Sequence, residues 1–195
     1  MGKTLRPTLV LLGAFTALLG LGYPLLVTGV GRLAFPWQAG GSLVVVDGSV
    51  VGSRLVGQQF SDPRYFWGRP SATAPGPYNG AASGGANLGP SNPALRRAVQ
   101  ERVGRLRSAD PGNLQPIPVD LVTASASGLD PHISLAAARY QVPRVARLGG
   151  LPEAQVLGLV EEARSGGVPG LLGEPGVNVL LLNGALQRLA NGGRK

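Results

Sequence analysis

The chain has no cysteine, which removes two classes of protein at once. A disulfide scaffold and a cysteine-based zinc site are both excluded. Histidine is nearly absent too. His132 is the only one among 195 residues, too few for a histidine metal centre. Basic residues outnumber acidic ones by 18 to 10, yet they form no dense run. That distribution describes a solvated, mildly basic surface and not a nucleic-acid interface. Two catalytic signatures are also missing. Gly80 to Gly85 has the glycine spacing of a phosphate loop, but Ala86 and Asn87 stand where lysine and a hydroxyl residue are needed. There is no G-x-S-x-G elbow. Glu161 and Glu162 are adjacent, so they cannot face each other on a helix as an acid–base pair.

One stretch lacks charge altogether. Thr8 to Gly31 carries no charged side chain, and a bilayer core needs about 20 apolar residues as a helix. The run predicts a single transmembrane helix over 8–31, with 1–7 cytoplasmic and 33–195 extracytoplasmic. A cleaved secretory signal is the alternative, but its apolar core is usually shorter, and only a poor Val27-x-Gly29 match to a cleavage site exists. Lys3 and Arg6 precede the run and Arg32 follows it, so the basic excess points to an N-terminus inside. Beyond Arg32 there remain fifteen basic and ten acidic residues. Phe35 and Trp37 suit the outer interface. Pro24 falls inside the span and is expected to kink it. Gly13, Ala17, Gly20 and Gly22 form a small-residue stripe, either a feature of a glycine-rich anchor or a seam for partner helices.

The remainder predicts an α+β fold: one mixed domain with a hairpin, a long ordered loop and about four helices. Asp47-Gly48 between Leu43–Val46 and Val50-Val51 is a strong hairpin signal, because both central positions favour positive φ. From Ser61 to Pro93 the chain is rich in Gly, Pro, Ala, Ser and Asn. Tyr65, Phe66, Trp67 and Tyr78 argue against disorder there. The reading is an ordered irregular loop, with Tyr65, Trp67 and Tyr78 either facing a partner or closing the domain's own core. Asn92-Pro93 opens a helix to about Arg107, with Leu95, Val99, Val103 and Leu106 on its apolar face. Residues 116–122 read as extended. A helix is expected over 135–142, interrupted by Pro143 and resumed to 148. Others are expected from Pro152 to about Arg164 and from Val177 to Leu189, with a loop over 166–175 between them.

Two candidate sites remain. The first is a hydrolase-like group of Ser127, Asp130 and His132, with Ser125 nearby. The plainer reading has Asp130 capping a helix that begins at Pro131. The second is the Gly80–Gly89 loop, where Ser83, Gly84, Gly85 and Asn87 are weak candidates for nucleotide contact.

Several motifs in order then carry a resemblance. They are Arg69-Pro70-Ser71-Ala72, Tyr78-Asn79, the run Ser83 to Pro93, Asp120 to Ser125, Ser127 to Ser134, Gln141 to Ala146, and Gly173-Glu174-Pro175 with Val177-Asn178-Val179. With the N-terminal span, these resemble the C subunit of Kdp-type potassium-transporting ATPases over nearly the whole chain. Ala126 and Leu135 depart from the usual glycine and proline. The resemblance implies a bacterial plasma-membrane complex in which a potassium-channel-like subunit selects the ion and a P-type ATPase subunit hydrolyses ATP. It implies that this chain is a non-catalytic accessory, needed for assembly, and a catalytic chaperone that raises the ATPase subunit's affinity for ATP. ATP is the only cofactor it implies; membrane lipid and those two subunits are the partners, with no metal and no nucleic acid.

Overall fold

The computed structural model describes residues 2–46, 48–166 and 175–192. The chain forms two compact units, Met1–Ser53 and Arg54–Lys195.

The first unit is dominated by one helix. α1 (Gly2–Ala17) and α2 (Tyr23–Ala34) are joined through a π-helical turn, Leu18–Gly22. The 32 residues Lys3–Ala34 have a mean hydropathy of 2.0. At 1.5 Å per residue that is about 48 Å, longer than a hydrocarbon core of about 30 Å. The π turn has a local cause. Pro24 has no N–H to donate, and its ring crowds the carbonyl four residues back. Just upstream the Tyr23 N–H reaches the Leu18 carbonyl, so the ladder widens where Pro24 would break it. The irregularity expected at Pro24 is thus a π turn just upstream of it.

A short helix α3 (Pro36–Ala39) leads to β1 (Leu43–Val46) and β2 (Ser49–Ser53), an antiparallel pair. Val46 pairs with Ser49, giving the expected two-residue turn. Gly48 has φ +77°, as such a turn requires; Asp47 lies outside the described residues. A bulge between Val44 and Val45 shifts the register. The Trp37 indole N–H donates to the Leu43 carbonyl at 3.1 Å, and Ser53 Oγ donates to the Gly41 carbonyl at 2.7 Å.

Among the described residues, the second unit holds four α-helices and a three-stranded antiparallel sheet. In chain order it contains α4 (Pro93–Ala109), β3 (His132–Ser134), α5 (Leu135–Gly149), α6 (Glu153–Glu162), β4 (Arg164–Ser165), β5 (Gly176–Asn178) and α7 (Val179–Gly192). The sheet order is β3-β5-β4. Asn92 accepts the Ala94 N–H at 2.9 Å and Pro93 takes the first turn, so α4 starts where the sequence predicts. α5 ends at Gly150 with φ +66°, and the Leu151 N–H folds back to the Ala146 carbonyl at 3.0 Å. Val145, Val156, Val160, Val177 and Leu182 are fully enclosed.

Several elements differ from expectation. α5 runs straight through Pro143. Its buried face of Ala137, Ala138, Gln141, Val142 and Val145 outweighs the one missing hydrogen bond. Asp130 does not cap a helix. Its Oδ1 accepts the His132 N–H at 3.0 Å in a turn that enters β3, and Ser134 caps α5 instead, accepting the Ala137 N–H at 3.0 Å. The 116–122 segment holds a 3₁₀ turn, Val119–Leu121. Val177 belongs to β5, so the last helix begins at Val179. Most of the expected 166–175 loop lies outside the described residues, as do Gly173 and Glu174.

Candidate functional site

Residues 61–92 contain no helix or strand, so their backbone polar groups need other partners. Side chains from α5 and α7 supply them. Gln141 Oε1 accepts the Trp67 N–H at 2.8 Å, and its Nε2 donates to the Trp67 carbonyl at 3.1 Å. Asn183 does the same for Phe66, at 2.9 and 3.0 Å. Arg144 donates to the Pro63 and Tyr65 carbonyls and to Gln141 Oε1. Burial pushes the Arg144 guanidinium down to about 10. Residues 63–67 of the loop are therefore held by three buried polar side chains.

That arrangement opens a cleft of about 230 Å³ beside Trp67. Its wall includes Phe60, Arg69, Tyr78, Arg102, Arg105 and Leu106. The Arg105 guanidinium lies 4.5 Å from the Trp67 ring centroid, and Arg144 lies 4.4 Å from the same ring. Arg102 donates to the Val122 carbonyl at 2.8 Å, and burial lowers its pKa. Arg69 reaches Asp130 Oδ2 at 3.4 Å and the Ala124 carbonyl at 3.3 Å, while its buried Nε has no partner among the described residues. Tyr78 donates its hydroxyl to the Arg69 carbonyl. Burial first, and the Asp130 carboxylate second, push the Tyr78 phenol up to about 12.

The expected site residues separate. Trp67 is 8 % exposed and Tyr65 packs against the core, so both rings help close the domain, with Trp67 also walling the cleft. Tyr78 also walls the cleft. Gly57 and Gly68 make room for its ring: a Cβ on Gly57 would lie 2.4 Å from Tyr78 Cε1, and one on Gly68 2.7 Å from its hydroxyl oxygen. In the Gly80–Gly89 loop the Gly84 N–H is engaged with the Ser127 carbonyl at 2.9 Å, and Ser83 Oγ donates to the same oxygen at 3.0 Å. Gly85 lies against Ala126, and Asn87 has φ +49°. Ser83, Gly84 and Gly85 thus bind the neighbouring motif.

Ser127, Asp130 and His132 do not form a relay. Ser127 Oγ accepts the Leu129 N–H at 3.1 Å, whereas His132 Nδ1 lies 3.5 Å from Asp130 Oδ1. The hydrogen bond to His132 comes first among the causes that hold the Asp130 carboxyl below its usual range. Ser125 Oγ accepts the Gly128 N–H at 2.9 Å, and Ser134 binds Asp120 through both its N–H and hydroxyl, at 2.7 and 3.1 Å. On the long helix, a Cβ added at Gly13 or Gly20 would meet nothing within 4 Å, and Ala17 and Gly22 are exposed beside them.

Sequence reasoning missed Gln141 and Arg144 as organisers, although both lie in the Gln141 to Ala146 motif. It also missed Asn183 and the arginine trio of the cleft. A polar residue at a core-facing helical position was the available signal for Gln141, Arg144 and Asn183.

Comparison with known proteins places this architecture. Residues 5–188 match the family model described as "KdpC: K+-transporting ATPase, c chain". A protein of Variovorax paradoxus named "Potassium-transporting ATPase KdpC subunit" is 62% identical over 190 residues, covering 97% of this chain and 98% of that one. Proteins of the same name from Methylibium petroleiphilum and Sorangium cellulosum are 62% and 64% identical, over 183 and 182 residues. Those alignments cover 94% and 93% of this chain and 96% of each relative. With one apolar N-terminal helix, an ordered loop tied to α5 and α7, and a match spanning both units, the chain belongs to the family of the KdpC subunit, the c chain of potassium-transporting ATPases.

Proposed function

We propose that this chain is a single-span, non-catalytic subunit of an ATP-driven potassium uptake complex in the bacterial plasma membrane. The observation that carries the reading is the family match over residues 5–188, which includes the apolar helix as well as the domain. In this reading the helix lies among partner helices and lipid, the N-terminus is cytoplasmic and residues 33–195 are outside. The excess of Lys3 and Arg6 over Arg32 alone supports that orientation. The domain stabilises the assembly against the potassium-channel-like subunit. It raises the ATP affinity of the P-type ATPase subunit, which performs the chemistry.

An outer domain cannot touch a nucleotide bound on the cytoplasmic side. Its effect on ATP affinity is therefore a coupling free energy between distant sites, typically about 1–3 kcal/mol. The hydrogen bonds that occupy Gly84 and Ser83 favour this indirect route over nucleotide contact by the Gly80–Gly89 loop. The separate engagements of Ser127 and His132 favour an accessory role over a hydrolase.

Co-expression with the pump subunits tests the reading. The tagged chain should retain the channel-like and ATPase subunits through detergent purification. Complexes lacking it should show a raised KM for ATP in potassium-stimulated hydrolysis. Protease added to oriented vesicles should cut the domain from the outer face. Free recovery of the chain without those subunits, or an unchanged KM, would reject the proposal.

A further inference from the structure

We infer that the Trp67 cleft is a socket for one acidic side chain, an aspartate or glutamate presented by a partner polypeptide and gripped by Arg102 and Arg105. This rests on the chain's being one subunit of a larger assembly, and it names how one of the contacts is made.

Charge comes first. α4 carries Arg96, Arg97, Arg102, Arg105 and Arg107 against a single acid, Glu101. Of these, Arg102 and Arg105 line the cleft, together with Arg69 from the loop. Arg69 has Asp130 at 3.4 Å. Among the described residues neither Arg102 nor Arg105 forms an ion pair. Glu101 immediately precedes Arg102 on the helix and acts on it only through space. The cleft therefore holds more guanidinium than carboxylate.

One further feature makes this an unfilled demand. Arg105 lies over the ring that also carries the buried Arg144 cation, and the Arg105 charge is one of the lesser causes that lower the Arg144 pKa, after burial. An acceptor anion in the cleft would relieve that repulsion. Arginine is suited to this because its planar fork binds a carboxylate through two parallel hydrogen bonds. Stacking on Trp67 holds the Arg105 fork in place before a ligand arrives.

Size and lining select the ligand. Sites for whole small molecules have about 300–1,000 Å³; this cleft has about 230 Å³, which suits a side chain better than a cofactor. Phe60 and Leu106 give apolar wall for a side-chain stem. Tryptophan, tyrosine and arginine in one recess are also the residue types that dominate binding energy at protein interfaces.

The test uses the full chain co-expressed with the channel-like and ATPase subunits, immobilised and washed at rising ionic strength. Arg105→Gln, an exposed position, is the primary variant; Arg102→Gln/Arg105→Gln is the stronger one. Dissociation of the partner subunits should quicken by about tenfold in the double variant, with Arg105→Lys intermediate because it keeps the charge and loses the fork. A zero-length carbodiimide should cross-link the Arg105→Lys chain through position 105 to an aspartate or glutamate of a partner subunit, a cross-link absent from Arg105→Gln. An unchanged circular dichroism spectrum and melting temperature show that Arg105→Gln leaves the domain folded. Equal release curves for wild type and the double variant, with the wild-type complex intact, would overturn the socket and spare the subunit reading. Cross-links confined to this chain would do the same. A wild-type chain that holds no partner subunit would reject the subunit reading, and the socket with it. As a competing probe, inorganic phosphate should leave Trp67 emission unchanged in a Trp37→Phe chain. Saturable quenching by phosphate would make the cleft a phosphate site and end the inference.

Discussion

Gln141 holds both backbone polar groups of Trp67, accepting its N–H at 2.8 Å and donating to its carbonyl at 3.1 Å. The amide stands in for the neighbouring strand that residues 61–92 lack. Both partners are buried, so removing the amide leaves two peptide groups without water or partner. Gln141→Ala should destabilise the chain by about 2–4 kcal/mol, read as a shift in the urea midpoint followed by circular dichroism. Asn183→Ala should act similarly on Phe66. Because Phe66 and Trp67 are adjacent, the double variant should lose less than the two single losses together. Additive losses would show that the two amides anchor the loop independently.

Tyr78 should make stability depend on pH at the alkaline end. Its phenol is raised from 10.0 to about 12 in the fold, so the folded state keeps the proton over a window where the unfolded chain releases it. The contribution is complete below about pH 10 and disappears as pH rises through about 12. Unfolding midpoints should therefore fall across that window, and less so in Tyr78→Phe. Absorbance titration at alkaline pH should show one late phenolate missing from the variant. The same titration in both chains would remove Tyr78 as the cause.

Gly128 should not accept a side chain. Its φ is +67°, and a Cβ there would lie 2.6 Å from the Gly84 carbonyl oxygen and 2.6 Å from Thr73 Cγ2. The first of these is backbone and cannot rotate away. Gly128→Ala should cost more than the roughly 1 kcal/mol of a left-handed alanine alone, because the Gly80–Gly89 loop must also lift from the Ser127 motif. A melting temperature within about a degree of wild type would mean that the loop is not held there.

Gly20 is the opposite case. Nothing outside the helix's own nearby backbone lies within 4 Å of a Cβ at this position, so a side chain there starts into open space. If partner helices approach along the small-residue stripe, Gly20→Leu should lower recovery of the partner subunits while the purified chain keeps its melting temperature. Unchanged recovery would assign the glycines to the anchor alone.

Local signals were legible wherever a short segment carried its own cause. The apolar run required a long helix, Asn92-Pro93 a helix start, and Asp47-Gly48 a hairpin. Readings failed where distant packing decided. Pro143 looks like a break, but α5 buries enough surface to continue through it. His132–Ser134 reads as the first turn of a helix begun at Pro131, yet pairs with Gly176–Asn178, more than forty residues later. A three-residue strand has no periodicity to read.

The membrane-length helix, the start of α4, the hairpin and the family were all readable without a single long-range contact. Each depends on neighbours along the chain or on motif order. The character of the 61–92 loop emerged only in the folded chain: a backbone laid between α5 and α7, with Gln141, Arg144 and Asn183 replacing the strand partners it lacks. So did the meeting of three arginines from two segments beside one tryptophan. Both facts depend on side chains brought together across 33 to 117 positions, and no local propensity encodes which of them will meet.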